Sequence, residues 1–161
     1  MRYTAPPMTE DTAQHRKQLI QQFFGLVPHN EALGIEFIDA GDNGATMRLP
    51  YAEHLIGNPA IGLLHGGAVT TLMDACCGAA VFIALHSPVP IATLDLRIDY
   101  LRPGEVGKEL EAHAVCYKVT RNVAFARCTT YHLDAPDDPI ASAVGTFMIG
   151  TKAGGHKGAT K

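Results

Sequence analysis

The 161 residues predict an α+β architecture, an antiparallel β-sheet wrapped around one long central helix, and three observations carry that reading. Two strand-like runs precede residues 66–85, four follow them, and the segment between is apolar nearly all the way round. A helix without a polar face must be covered on most sides, and a sheet built from consecutive hairpins can curl around it.

Residues 1–10 read as a polar leader. Residues 11–24 hold helix formers with an apolar end at Leu19, Ile20, Phe23 and Phe24, stopped by Gly25. Residues 28–33 begin with Pro28 and are followed by Gly34, the pattern of a short helix. The period then changes, and residues 33–38 and 45–49 read as strands joined through Gly41-Asp42-Asn43-Gly44, a hairpin signal. Residues 51–64, with Asn58-Pro59, read as a loop before the central helix. Ile91 through Tyr100 alternates, with Ala92, Leu94, Leu96, Ile98 and Tyr100 on one face and Thr93, Asp95, Arg97 and Asp99 on the other. Strands over 110–118, 123–132 and 140–149 complete the set, separated by turns at Thr120-Arg121-Asn122 and Ala135-Pro136-Asp137-Asp138. This divides the chain into an N-terminal helical extension (1–32), one domain (33–150) and a flexible tail rich in glycine and lysine (151–161).

A chain of this size buries roughly 70% of the surface its unfolded form exposes, enough for one core. The net charge of -3 and sequence pI near 6.2 give no attraction to nucleic acid or an anionic membrane. Cys76, Cys77, Cys116 and Cys128 lack metal or C-x-x-C spacing and sit in apolar runs, as expected of inert, reduced thiols. His86, His113 and His132 are isolated, so no metal site is expected. The longest uncharged apolar stretch, residues 75–85, is too short to cross a bilayer, and no basic-then-apolar signal precedes the first predicted helix. A cytoplasmic protein is the expectation.

Between His65 and Leu94 there is one formal charge, Asp74, set in the apolar helix that opens with His65-Gly66-Gly67. A buried carboxylate costs several kcal/mol unless compensated, so it is a candidate functional group. Gly66 and Gly67 allow close backbone approach, and the first turn of a helix leaves amide hydrogens able to bind an oxygen gaining negative charge. The structural alternatives are tight packing at the glycines and a buried acid bonded to Asn58 or a hydroxyl.

The order of elements, Asn58, His65-Gly66-Gly67, Asp74, Thr93 and the Tyr100-Leu101-Arg102-Pro103 run together resemble the hotdog-fold acyl-CoA thioesterases of the phenylacetate-degradation (PaaI-like) type, over residues 33–149. The resemblance implies hydrolysis of an acyl-CoA to a carboxylic acid and coenzyme A, with no separate cofactor because coenzyme A is part of the substrate. It further implies that Asn58 orients water or the thioester, that Thr93 helps hold the water near the acid, and that Arg121 and Asn122 contact the nucleotide part of coenzyme A, Arg121 pairing with a phosphate. His65 is expected to bond the backbone at the helix entry.

A thioester expels a thiolate whose conjugate acid has a pKa of about 8.5, so a catalytic histidine is not required. One helix-terminal amide, assigned to Gly66 with Gly67 as its neighbour, contributes about 2.7–4 kcal/mol to oxyanion stabilisation. Asp74 then serves as nucleophile or as general base, and both routes stay open. Gly66 and Asp74 are about 12 Å apart along one helix, so if both serve one carbonyl the acid comes from a second copy across a two-fold axis. The resemblance implies the same dimer-interface site, and in many relatives two dimers pair into a homotetramer. Two other functions compete: an acyl-CoA sensor that binds without hydrolysis, and a hydratase or dehydratase on the same fold. Aromatic, short-chain and medium-chain acyl groups are all admissible.

Overall fold

A computed structural model describes residues 27–41, 44–86 and 89–150. The leader, the helix expected over 11–24 and the tail lie outside the described residues, as do Asp42 and Asn43 of the first hairpin. Helix α1 (Pro28–Leu33) has proline in its first turn and ends where Gly34 adopts the left-handed conformation, φ 70°. Strands β1 (Glu36–Ala40) and β2 (Gly44–Leu49) pair antiparallel, and the Gly41 amide bonds the Gly44 carbonyl at 2.9 Å across the turn. The first strand thus starts three residues later than the sequence suggests, because Gly34 and Ile35 are spent closing α1.

The segment expected as a loop is more ordered. A 3₁₀ turn (Glu53–Leu55) leads into a small hairpin of β3 (Ile56–Asn58) and β4 (Leu63–Leu64). Helix α2 (Gly66–Leu85) follows with the expected bounds, then β5 (Ile91–Tyr100), β6 (Leu110–Val119), β7 (Val123–Tyr131) and β8 (Ala141–Ile149). The six long strands form one antiparallel sheet in the order β1-β2-β6-β7-β8-β5.

Small side chains let the sheet close on the helix. Ala112, Ala114, Ala124, Ala126, Ala141 and Ala143 are all buried, opposite Cys76, Cys77, Gly78, Ala79 and Ala80 of α2. Small-on-small packing reaches interior density at short separation, and Leu72, Met73, Met47 and Phe147 are the larger side chains buried with it. All four cysteines are buried and unpaired, as expected. Among the described residues α2 is the one helix long and apolar enough to cross a membrane, and most of it is buried inside this sheet.

The face assignment of β5 is corrected by a bulge. Register slips between Thr93 and Asp95, so Thr93 opposes Phe147 while Leu96, Ile98 and Tyr100 oppose Gly145, Ala143 and Ala141. One inserted residue reverses strand parity. Ile91 and Thr93 therefore share the helix-facing side with Leu96, Ile98 and Tyr100, and Leu94 is left 54% exposed.

Candidate active site

His65 organises the entry to α2. Its backbone is extended (φ -66°, ψ 133°), its Nδ1 accepts the Gly67 amide at 2.9 Å, and its carbonyl accepts the amides of Ala68 and Val69. The histidine is an N-cap, and its proton must then lie on Nε2. Within the chain no hydrogen bond or ion pair among the described residues joins His65 to Asp74, whose hydrogen-bond partner is Thr93. The cap engages the Gly67 amide with His65, two residues earlier. The Gly66 amide has no partner among the described residues.

Each glycine of the motif has its own steric reason. A Cβ on Gly67 would stand 2.8 Å from His65 Nδ1 and break the cap, and one on Gly66 would stand 3.1 Å from the Tyr100 hydroxyl. Tyr100 donates to the Gly66 carbonyl at 2.8 Å, with Thr70 Oγ1 3.1 Å from the same hydroxyl. It ties the end of β5 to the first turn of α2, a role that alternation alone does not reveal. Beside Gly66 opens a cavity of about 310 Å³ walled mainly by Leu63, Val69, Leu110 and Ile140.

Asp74 sits two turns further on, half-buried. Thr93 Oγ1 donates to its Oδ1 at 2.9 Å, a contact within one chain that exists because the bulge turns Thr93 toward the helix. Burial pushes the Asp74 carboxyl above its ordinary range, and the Thr93 hydrogen bond opposes that rise without cancelling it. The acid lines a second cavity of about 260 Å³ with His29, Thr71, Thr93 and Phe147. Thr71 Oγ1 donates to the Gly67 carbonyl at 3.0 Å and lies 3.4 Å from His29 Nε2. His29 comes from α1, a helix whose sequence marks its shape but gives no sign of what it will touch.

The remaining expected residues are scattered. Asn58 is exposed, and its Oδ1 accepts the Ala60 amide at 3.1 Å while its carbonyl accepts those of Ile61 and Gly62. It shapes the β3–β4 turn and bonds neither Asp74 nor Gly66. Arg121 and Asn122 are exposed in the β6–β7 turn. The Asn122 carbonyl holds the Ile149 amide, and Ile149 pairs with Ile91, which lines the Asp74 cavity. That turn therefore belongs to the Asp74 end of the sheet, while Leu110 at the far end of β6 borders the Gly66 cavity.

Residues 61–136, which contain the helix entry, Asp74 and Thr93, match the profile of the thioesterase superfamily. A candidate esterase of Halobacterium salinarum is 36% identical over 141 residues, covering 86% of this chain and 93% of its own. The chain belongs to the thioesterase superfamily. The medium/long-chain acyl-CoA thioesterase YigI of Escherichia coli is 29% identical over 86% of this chain and 97% of its own. A crystal structure from Pseudomonas aeruginosa superposes with TM-score 0.75 at 44% identity, covering 83% of this chain and 98% of that one. The Escherichia coli PaaI protein shares the fold at TM-score 0.73 and 19% identity, covering 85% of this chain and 95% of its own. Membership of the thioesterase superfamily meets the sequence expectation of a hotdog fold and of a thioester hydrolase.

Proposed function

We propose that this protein is an acyl-CoA thioesterase whose site forms between two protomers, the Gly66 amide of one meeting the Asp74 carboxylate of the other. The observation that carries the reading is the division of groups along α2: a free amide and a solitary, desolvated acid lie on one helix, about 12 Å apart and in different cavities. YigI, an acyl-CoA thioesterase by name, supports the substrate class.

The carbonyl oxygen of the thioester accepts the Gly66 N–H and gains charge as the tetrahedral intermediate forms. Asp74, held by Thr93, either attacks the carbonyl carbon or takes a proton from an attacking water. Collapse breaks the carbon–sulfur bond and releases coenzyme A thiolate, which leaves without a dedicated acid; where Asp74 has attacked, water then hydrolyses the mixed anhydride to free the acid and restore the carboxylate. Water is the other reactant, and no cofactor takes part. Arg121 and Asn122 in their exposed turn are the proposed contacts for the nucleotide end.

Strand β5 supports the dimer. It is an edge of the sheet, ten residues long, with Leu94 and Tyr100 more than half exposed. A long unpaired edge is a template for pairing with a second copy. Two-fold pairing there would set the two α2 helices antiparallel, each offering the uncovered side that carries Gly67, Thr70, Thr71 and Asp74. Two such dimers would make the proposed homotetramer. The test is thiol release from a panel of aromatic, short, medium and long acyl-CoA substrates, beside sedimentation of the full chain. Turnover lost in Asp74→Asn together with a dimer or tetramer supports the proposal; an active monomer, or full activity in Asp74→Asn, refutes it.

A further inference from the structure

We propose that His132 is a specificity-determining residue: its imidazole forms the end wall of the cavity beside Gly66, and that cavity receives the acyl chain. The inference rests on the reading above, because the Gly66 amide marks where the carbonyl sits.

His132 follows β7 and is 1% exposed. Its Nδ1–H donates to the Glu109 carbonyl at 2.8 Å and its Nε2 accepts the Glu105 amide at 2.8 Å. Both ring edges are therefore bonded to the loop that joins β5 to β6. From outside, Lys108 Nζ bonds Glu105 and Asp134, each at 2.7 Å, and closes that loop over the ring. A ring held at two edges cannot swing aside as an alkyl side chain does.

Two cavities meet at this ring. His132 lines both the one beside Gly66, about 310 Å³, and another of about 430 Å³ that Tyr51, Lys108 and Asp134 also line. Val69, Ile140 and His132 line the same cavity, so on this proposal an apolar chain leaving the carbonyl packs on Val69 and Ile140 and stops at His132. Gly104 completes the wall, since a Cβ there would stand 3.6 Å from His132 Nε2 and 3.8 Å from Ile140 Cδ1. A methyl group fits at that point and shortens the path.

The experiment measures kcat and KM on the full chain for a ladder of saturated acyl-CoA thioesters from butyryl to palmitoyl. Removing the ring joins the two cavities, so His132→Ala raises the kcat/KM ratio of palmitoyl to octanoyl substrate about tenfold, through KM. Gly104→Ala lowers the same ratio about threefold. General loss of packing depresses all substrates together and cannot send two variants in opposite directions. If His132→Ala does not fold, His132→Asn, which keeps an amide near the Glu109 carbonyl, raises the ratio by a smaller factor. An unchanged ratio in the folded variants, or one that moves the same way in the His132 and Gly104 variants, overturns the proposal. If the unaltered chain hydrolyses none of the ladder, calorimetry with the matching alkyl-CoA thioethers decides the wall. A length preference that His132→Ala extends upholds it, and binding indifferent to length overturns it.

Discussion

At the amino end of α2 the proposed site relies on a backbone amide, whereas about two turns along the same helix it relies on a side chain. The Gly66 end is shaped by two glycines without Cβ atoms and an amide without a partner among the described residues, with a histidine and a tyrosine holding the turn. The Asp74 region is shaped by what is present, a carboxylate pressed into an apolar setting and restrained by one threonine. Among the described residues no hydrogen bond joins the Gly66 amide to an acid or base, and Asp74 lines the other cavity. Two incomplete halves on one rigid rod invite assembly with a second rod, and each variant below strikes one half alone.

The largest effect is expected from Asp74→Asn, which keeps the Thr93 contact but removes the base or nucleophile; steady-state thiol release should fall by about 10²–10⁴. Gly66→Pro is the matching cut at the other half. Proline is tolerated in the first helical position, and His65 already has the extended backbone that precedes proline, so the substitution deletes the amide donor and keeps the helix start, while its Cβ, 3.1 Å from the Tyr100 hydroxyl, makes that side chain give slightly. Its kcat should fall about 10²–10³. Co-refolding the two variants in equal amounts should restore about a quarter of the unaltered activity, because half the dimers are mixed and each mixed dimer holds one intact site. Activity no higher than the sum of the separate variants would rule out a shared site.

Thr93→Val acts more gently. Without its hydrogen bond the Asp74 carboxyl rises further, so the acid limb of the pH–rate profile should move to higher pH and kcat at neutral pH should drop several-fold. The same shift has a stability consequence. Because folding raises the Asp74 pKa, its favourable contribution is complete below the usual value of 3.8 and is lost as pH rises through the folded value. Asp74→Asn should therefore have the higher Tm at neutral pH, with the gap closing as pH falls toward 3.8. The smallest effect belongs to His65→Ala, which removes the cap from the Gly67 amide and should cost about 1 kcal/mol in chemical denaturation.

How much of this was legible in the sequence depended on the range of the interaction. Local signals placed α2 to the residue, found β5 and the hairpin turns, and singled out Asp74 and Gly66, because solitary charge in an apolar run and paired glycines at a helix start are visible one residue at a time. Thr93 was assigned to the wrong face because the bulge at Leu94 replaces one apolar residue by another in the pattern, which hides a change of parity. Asn58 stands out through the resemblance and Gly67 through the paired glycines; what the fold adds is the turn that Asn58 shapes and the cap that joins the Gly67 amide to His65. Tyr100, His29 and His132 acquired their places through contacts with residues 34, 42 and 27 positions distant, or thereabouts, which no periodicity encodes.

By itself, then, the amino-acid order determined which segments are helix or strand, that the long helix must be enclosed, and which two of its residues stand out chemically, since each of these follows from neighbours along the chain. Tertiary structure alone decided that Thr93 holds the acid, that Tyr100 braces the amide end, and that the free amide and the acid open into separate cavities. The reason is geometric: a rigid helix keeps two groups a set distance apart, and only the strands folded around it determine what each group faces.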